Sequence, residues 1–472
     1  MEDARRLWLQ TVAKYKLNPD GPGSDGYWCP DLETCTRDRL REIQSEKLEV
    51  LCRFLYDCSP FYRRKFDEAK LKPRNVKSVD DLPKVPLTTK AEMAQDVLDN
   101  PPWGTYLTID EEIWRSRGWM VFSTGGTTAA PRPFRHTYHD RDVWAWNHAR
   151  VQWAAGVRSG DCAFLASAYG PHVFYWGMHY GFGLLGVPVI PGGGMDTKRR
   201  AYFIDRFKPT ILGATPSYAL YLGNTMKAMG LDPAQSSIRI ITTGGEPGAC
   251  IPATKKRIES LWGAQLHDYY GCTEAAPCAS GYSCLAEVAK PGDEPMNIHL
   301  REDTEIWELV NPVTLEPVPE GQRGISVCTN LFSEAAPLLR FLVGDYSVFT
   351  SEPCACGRRH ARAIGGFCGR ADDMLNIRGI TLFPSAVEDI LRGIDSLADE
   401  FQIVISTVGD MDTLTIKVEA SENVSADSYD DLAKTVMEEV KSKTEIRPDV
   451  QVVAYGSLPK TEFKAKRVTD LR

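Results

Sequence analysis

Between Met120 and Thr273 the chain falls into short, almost unbroken apolar runs, among them Cys162-Ala163-Phe164-Leu165-Ala166, Val187-Pro188-Val189-Ile190, Thr210-Ile211-Leu212 and Ile238-Arg239-Ile240-Ile241. Gly/Pro-containing turns and a helix-length segment separate each run from the next. A strand that faces water on one side alternates apolar with polar residues, whereas one apolar at nearly every position must be covered on both faces. The stretch therefore predicts a mainly parallel sheet sandwiched by helices, with ligands at the carboxyl ends of its strands.

The flanking segments read differently. Residues 1–100 are amphipathic and helical in pattern, with Arg37 to Tyr56 carrying apolar residues near helical spacing, and they predict an outer helical layer. Alternating segments such as Thr304-Glu305-Ile306-Trp307-Glu308-Leu309-Val310 and Gly324-Ile325-Ser326-Val327-Cys328 predict antiparallel strands, and a β-rich subdomain over about 297–370. After Asp372 the pattern becomes α+β: a helix from Pro384 to Leu391, strands at Phe401 to Ile405 and Leu414 to Glu419, a helix from Ser428 to Lys441, and a last strand at Val450 to Ala454. A tail of about 100 residues suffices for a separate domain. The expected fold is α/β, with a large N-terminal domain over 1–371 and a small α+β C-terminal domain over 372–472.

Charge narrows the partners. With 55 Lys+Arg against 63 Asp+Glu the net charge is -8, so the overall field does not favour nucleic acid or anionic lipid, and small-molecule work fits better. No stretch offers about 18 uninterrupted apolar residues, and the start, Met1-Glu2-Asp3-Ala4-Arg5-Arg6, lacks a signal-peptide pattern, so neither membrane insertion nor export is expected and the chain reads as cytoplasmic. The 13 cysteines are odd in number and scattered, which argues for reduced thiols rather than a disulfide framework.

Three stretches carry chemistry. Ser123-Thr124-Gly125-Gly126-Thr127-Thr128-Ala129-Ala130-Pro131-Arg132 follows a predicted strand ending at Phe122; glycines allow close backbone approach, and hydroxyls with exposed N–H groups suit phosphate oxygens. It lacks the Gly-Lys-Ser/Thr ending of the common NTPase loop. In Tyr269-Tyr270-Gly271-Cys272-Thr273-Glu274 an aromatic ring can stack on a purine, Thr273 can bond a phosphate and Glu274 can hold Mg²⁺. In Arg340-Phe341-Leu342-Val343-Gly344-Asp345 a carboxylate that can accept both ribose hydroxyls follows a tight Gly turn.

With these, the chain resembles the acyl-adenylate-forming superfamily, in particular its phenylacetate-CoA ligase-like branch. The resemblance extends over nearly the full length and includes Ala214-Thr215-Pro216-Ser217-Tyr218, Thr243-Gly244-Gly245-Glu246-Pro247, Gly369-Arg370-Ala371-Asp372-Asp373, Arg378-Gly379-Ile380 and Leu458-Pro459-Lys460-Thr461-Glu462-Phe463-Lys464. It implies ATP, Mg²⁺ and coenzyme A as co-reactants of a carboxylic acid, and a C-terminal domain that turns between two half-reactions. Thr124, Gly125, Gly126, Thr127 and Thr128 would form the phosphate loop, and Gly245, Glu246, Pro247 and Tyr270 the adenine pocket. Thr273 would bond the α-phosphate, Glu274 hold Mg²⁺ and Asp345 bind the ribose, while Arg370 contacts the nucleotide, Asp372 is the hinge and Lys464 enters the site for adenylation. Relatives are often dimers, which allows a homodimer here.

Departures from the pattern are informative. Ala129-Ala130 stand where relatives usually have Gly and often Lys, and Phe463 replaces a usual Gly, which leaves Lys460 and Lys466 as alternatives to Lys464. Two close thiols, Cys354 and Cys356, with Cys284 and His299 upstream, could complete a tetrahedral Zn²⁺ site of the kind many relatives resemble; Cys278 and His360 are alternatives. The resemblance also implies an acid pocket at Tyr169 to Tyr180, where Tyr169, His172, Tyr175, Trp176 and His179 add bulk and a polar ring. Bulk shrinks a pocket and imidazole can bond a hydroxyl, so the expected acid is small, branched or hydroxylated, as 2-hydroxyisobutyrate is, with a phenylacetate- or benzoate-type acid as alternative. Other readings are an adenylating enzyme with an amine or carrier-protein acceptor, and a silent nucleotide-binding regulator. No carrier domain follows Arg472, which favours free CoA, and Lys464, Glu274 and Asp345 are all present, which disfavours silence.

Overall fold

The helix Arg37–Cys58 begins where Thr36 accepts the Arg39 N–H and ends at Ser59, whose hydroxyl in turn caps the next helix, Pro60–Glu68. It buries Leu40, Ile43, Leu48, Leu51, Phe54 and Leu55 on one side, and its Phe54 stacks on Trp8 of the first helix, Glu2–Lys14. This is the expected outer layer. A computed structural model describes residues 1–124, 132–170, 173–291, 294–367, 369–371, 375–377, 380–408, 411–460 and 467–472.

The central sheet is built from β3 (Ala163–Leu165), β4 (Val189–Pro191), β5 (Ile211–Ala214), β6 (Ile240–Gly244) and β7 (Gln265–Cys272), parallel in the order β4-β3-β5-β6-β7. β3, β5 and β6 are buried at every residue, the reason their sequences do not alternate. Successive residues enter different cores: Ile211 and Ile240 pack with Val143, Trp146 and Met178 from helices Tyr138–Ala154 and Val173–Leu184, whereas Leu212 and Ile241 pack with Ala201, Leu222 and Ile258 from helices Thr197–Phe207, Pro216–Ala228 and Pro252–Trp262.

Two sequence expectations are corrected and one is extended. The run at Met120 to Phe122 lies in β1 (Gly118–Ser123), which among the described residues pairs with β2 (Pro133–Thr137) in a two-stranded hairpin apart from the parallel sheet. The antiparallel strands expected after residue 297 are present, and they extend the same sheet. β8 (Ala276–Tyr282) folds back on β7, and β9 (Ile298–Leu300), β10 (Glu305–Val310), β11 (Arg323–Asn330), β12 (Phe341–Thr350) and β13 (Arg362–Ala363) continue the same ladder to eleven strands. Beyond the strand Asp449–Val453 there is a further one, Val468–Asp470, too short to show a period.

The C-terminal part has its own apolar core, in which Val387, Ile390, Ile403, Ile405, Ile416, Val418, Val436 and Val440 meet. β14 (Leu375–Ile377) and β15 (Ile380–Leu382) pair with each other, and β16 (Leu397–Val408) and β17 (Met411–Ala420) form a hairpin. β18 (Asp449–Val453) joins β17 in parallel and β19 (Val468–Asp470) joins β16 in parallel. Asp399 of β16 meets Arg257 at 3.3 Å and Asn224 at 2.6 Å, tying this part to the helices that cover the central sheet. Among the described residues, no helix is long and apolar enough to cross a membrane.

Candidate active site

β5, β6 and β7 are neighbours, and the segments following them bring three sequence motifs to one end of the sheet. After β5, Thr215 caps the helix Pro216–Ala228. After β6, Gly245 takes a φ of +91°, a left-handed conformation that glycine adopts without a side-chain clash, and the chain turns through Glu246 and Pro247. The Glu246 carboxylate accepts the Ser217 N–H at 2.8 Å and the Ser217 hydroxyl as well. β7 ends beyond Tyr270, and Thr273 and Glu274 occupy the turn into β8.

Tyr270 reaches across to β12, where its hydroxyl donates to the Asp345 carboxylate. Gly344, at φ +87°, provides the turn that precedes this carboxylate. Asp345 and Arg370 form a backbone bridge, flanked by Tyr346 N–H to the Gly369 carbonyl at 2.9 Å and Ala371 N–H to the Gly344 carbonyl at 2.8 Å. Tyr270, Asp345 and Arg370 are thus brought together from three distant parts of the chain. The Tyr270 ring is stacked on Phe367, with centroids 3.5 Å apart, and meets Trp307 at 5.8 Å. Phe367 was not singled out in the sequence, because only the fold brings it to Tyr270.

Thr124 closes the start of the hydroxyl-rich loop: its N–H donates to the Arg132 carbonyl and its hydroxyl accepts the Arg132 N–H, each at 3.2 Å. The Arg132 guanidinium extends to Glu274. Gly125, Gly126, Thr127, Thr128, His172, Asp372 and Lys464 lie outside the described residues. Of the alternatives to Lys464, Lys460 pairs with buried Glu419 at 3.1 Å, and Lys466 is outside the described residues.

The aromatic segment over residues 169–180 is closely packed. Tyr169 lies edge-on to Trp176 at 4.9 Å, and its hydroxyl is 3.2 Å from His179 Nδ1. Burial lowers the His179 pKa below the usual 6.5, so the ring is neutral at pH 7. Tyr175 is buried and Trp176 donates its indole N–H to the Gly170 carbonyl at 3.1 Å. Phe174, absent from the sequence-based candidates, places its ring over the end of β6: a methyl group on Gly244 would come within 3.1 Å of it.

Cys284, His299, Cys354 and Cys356 converge, with their ligand atoms all within 4.8 Å of one another. Cys284 and Cys354 sulfurs are 3.8 Å apart, and Cys356 Sγ is 3.4 Å from His299 Nε2. Tetrahedral Zn–S bonds of about 2.3 Å require S···S separations of about 3.8 Å, so the set fits a zinc ion. Hydrogen bonds from Cys284 and Cys354 push the Cys356 thiol pKa down despite burial, which favours the thiolate. His360 is elsewhere, with Nε2 3.0 Å from the Leu32 carbonyl, and the side chain of Cys278 is outside the described residues.

Residues 38–329 match the family model for AMP-binding enzymes, and residues 379–472 match that for the AMP-binding enzyme C-terminal domain. The phenylacetate-coenzyme A ligase of Thermus thermophilus is 34% identical over 459 residues, which cover 94% of this chain and 99% of that protein. The chain belongs to the acyl-adenylate-forming superfamily, in its phenylacetate-CoA ligase-like family. It is an AMP-forming acid-CoA ligase.

The ligase is also similar to a solved 2-hydroxyisobutyryl-CoA ligase in the postadenylation state with 2-HIB-AMP, at a TM-score of 0.89 and 30% identity, over 96% of this chain and 94% of that one. Against the same protein with 2-HIB-AMP and CoA in the thioesterification state the TM-score is 0.70, at the same 30% identity over 95% of this chain and 93% of that one. Because the identity is the same, the difference reflects arrangement, and the ligase is arranged like the postadenylation structure.

One buried carboxyl near the site gives a pH prediction. Burial raises the Asp268 pKa from 3.8 to about 6, against a hydrogen bond from Cys250 Sγ at 3.1 Å. A raised folded pKa contributes stability that is present below pH 3.8 and lost as pH rises through 6. Asp268→Asn stays neutral, so its stability relative to the parent should improve by up to about 3 kcal/mol between pH 4 and pH 7. Urea unfolding at the two pH values measures this, and an unchanged difference would contradict it.

Proposed function

We propose that this ligase activates a small branched or hydroxylated carboxylic acid of the 2-hydroxyisobutyrate type and transfers the acyl group to free CoA. The observation that carries the substrate reading is the Phe174 ring against Gly244, with Tyr169, Tyr175 and Trp176 packed alongside, aromatic bulk that would favour a compact acid over a flat ring. The likeness to a 2-hydroxyisobutyryl-CoA ligase supports it. A phenylacetate-type acid is the second reading, favoured by the phenylacetate-coenzyme A ligase from Thermus at 34% identity.

In the first half-reaction an acid oxygen attacks the α-phosphorus of ATP, and the bond from that phosphorus to pyrophosphate breaks. Asp345 would accept the ribose hydroxyls, Tyr270 with Gly245, Glu246 and Pro247 would border the adenine, and Arg370 would lie beside the nucleotide. Thr273 would bond the α-phosphate and Lys464 would stabilise the charge that builds on it. The phosphate loop from Thr124 to Thr128 would enclose the leaving end. The buried Glu274 carboxylate fits a Mg²⁺ ion, which would offset triphosphate charge when bound.

In the second half-reaction the CoA sulfur attacks the acyl carbon, the thiol proton is released, and AMP departs with its oxygen. This reading divides the chain into 1–371 and 372–472, with the smaller part turning about Asp372. Zinc held by Cys284, His299, Cys354 and Cys356 would have no open position, so its role would be structural. A cytoplasmic location and a homodimeric assembly belong to the same proposal.

Pyrophosphate release over an acid panel, with and without CoA, tests the proposal. The highest kcat/KM should belong to 2-hydroxyisobutyrate; a higher value for phenylacetate would overturn the substrate assignment, and no release with any acid would overturn the adenylation reading. Phe174→Ala removes the ring that packs against Gly244, so if that ring limits acid size the ratio of phenylacetate to 2-hydroxyisobutyrate kcat/KM should rise by about 10-fold or more. An unchanged ratio would mean that Phe174 does not limit acid size.

A further inference from the structure

Neither half-reaction uses the ion pair between Arg132 and Glu274. Arg132 Nη2 is 2.5 Å from Glu274 Oε1, and both residues are only 8% exposed. Backbone bonds to Thr124 fix Arg132 at the neck of the phosphate loop. The intervening sequence, Gly125-Gly126-Thr127-Thr128-Ala129-Ala130-Pro131, contains no cation. One further donor, Arg132 Nε, is buried with no partner among the described residues.

A carboxylate this buried needs a counter-charge, which Arg132 provides here. If Glu274 is the Mg²⁺ carboxylate, the ion cannot bond the same oxygen while the guanidinium occupies it. Displaced, the guanidinium remains anchored at the loop neck, beside a polyphosphate whose charge exceeds that of one carboxylate. Its planar fork matches two phosphate oxygens, and its unpaired N–H gives it a donor to spare.

We infer that Arg132 is the cation of the polyphosphate subsite: it holds Glu274 while the site is empty and passes to the β- and γ-phosphates of ATP when Mg²⁺ takes its place on Glu274. The inference rests on the proposed role of Glu274, and it supplies from the neck of the loop the positive charge that Ala129-Ala130 leave out.

Calorimetric titration of the full chain with ATP, pyrophosphate and AMP, each with and without Mg²⁺, tests it. For Arg132→Gln, affinity for ATP and pyrophosphate should fall at least 10-fold with Mg²⁺ present, while AMP changes less than 2-fold. Arg132→Lys keeps the charge and protects folding while losing the fork, so a partial loss confined to ATP and pyrophosphate is expected. Equal losses for all three ligands would show a merely structural role, and no loss in either variant would remove Arg132 from the subsite; both overturn the inference. Parent enzyme that binds ATP yet releases no pyrophosphate with any acid would instead count against the proposed function, and the binding comparison would still decide the role of Arg132.

Discussion

Cys356→Ser is expected to lower the unfolding midpoint by roughly 10 °C, with stoichiometric zinc in the parent protein and little in the variant. The four ligands come from the N-cap of the helix Leu285–Val288 two residues past β8, from β9 and from the loop after β12, so one ion would join segments that otherwise meet through short pairings. Structural zinc contributes about 10–16 kcal/mol in isolated peptides, and losing even about 5 kcal/mol moves a midpoint by ~10 °C at ~2 °C per kcal/mol. Elemental analysis with thermal unfolding measures both quantities. A metal-free parent whose midpoint matches that of the variant would sink the zinc assignment. Adenylation should be spared in whatever fraction stays folded, since zinc here would have no position open to substrate.

Lys464→Ala is expected to slow acyl-adenylate formation by about 10²-fold or more, the scale for removing one donor to transition-state charge. Thioester formation from supplied acyl-AMP should change little, because pyrophosphate has already left in that half-reaction. Single-turnover assays of each half separate the two. An equal fall in both halves would refute a role specific to adenylation, and a fall with Lys460→Ala instead would move the role along the chain. The pairing of Lys460 with Glu419 makes that second outcome the unexpected one.

What was legible in the sequence followed from burial. β3, β5 and β6 are covered on both faces, so their residues print as continuous apolar runs; the motif after β7 was identifiable from its own residues, and those after β5 and β6 from the family resemblance. The Cys/His set could be named because close thiols are uncommon by chance, although spacing left Cys278 and His360 open as alternatives. Residues whose importance is purely spatial were not visible. Phe174 reads as one more aromatic until the fold sets it on Gly244, and Phe367 is an ordinary loop residue until it stacks on Tyr270. Arg132 and Glu274 stand 142 positions apart, and nothing local in either segment announces the pair. The continuous eleven-stranded ladder was missed for a similar reason: alternation marks a strand as half-exposed but does not say which neighbour it joins.

The backbone pairing of Gly344-Asp345-Tyr346 with Gly369-Arg370-Ala371 reaches the residue before the proposed pivot at Asp372. Swinging everything after that pivot would leave the Asp345 carboxylate and the Arg370 backbone where they are. The sugar end of the nucleotide would therefore keep the same anchor in both half-reactions, and what changes between them would be confined to the groups brought in on the swinging side.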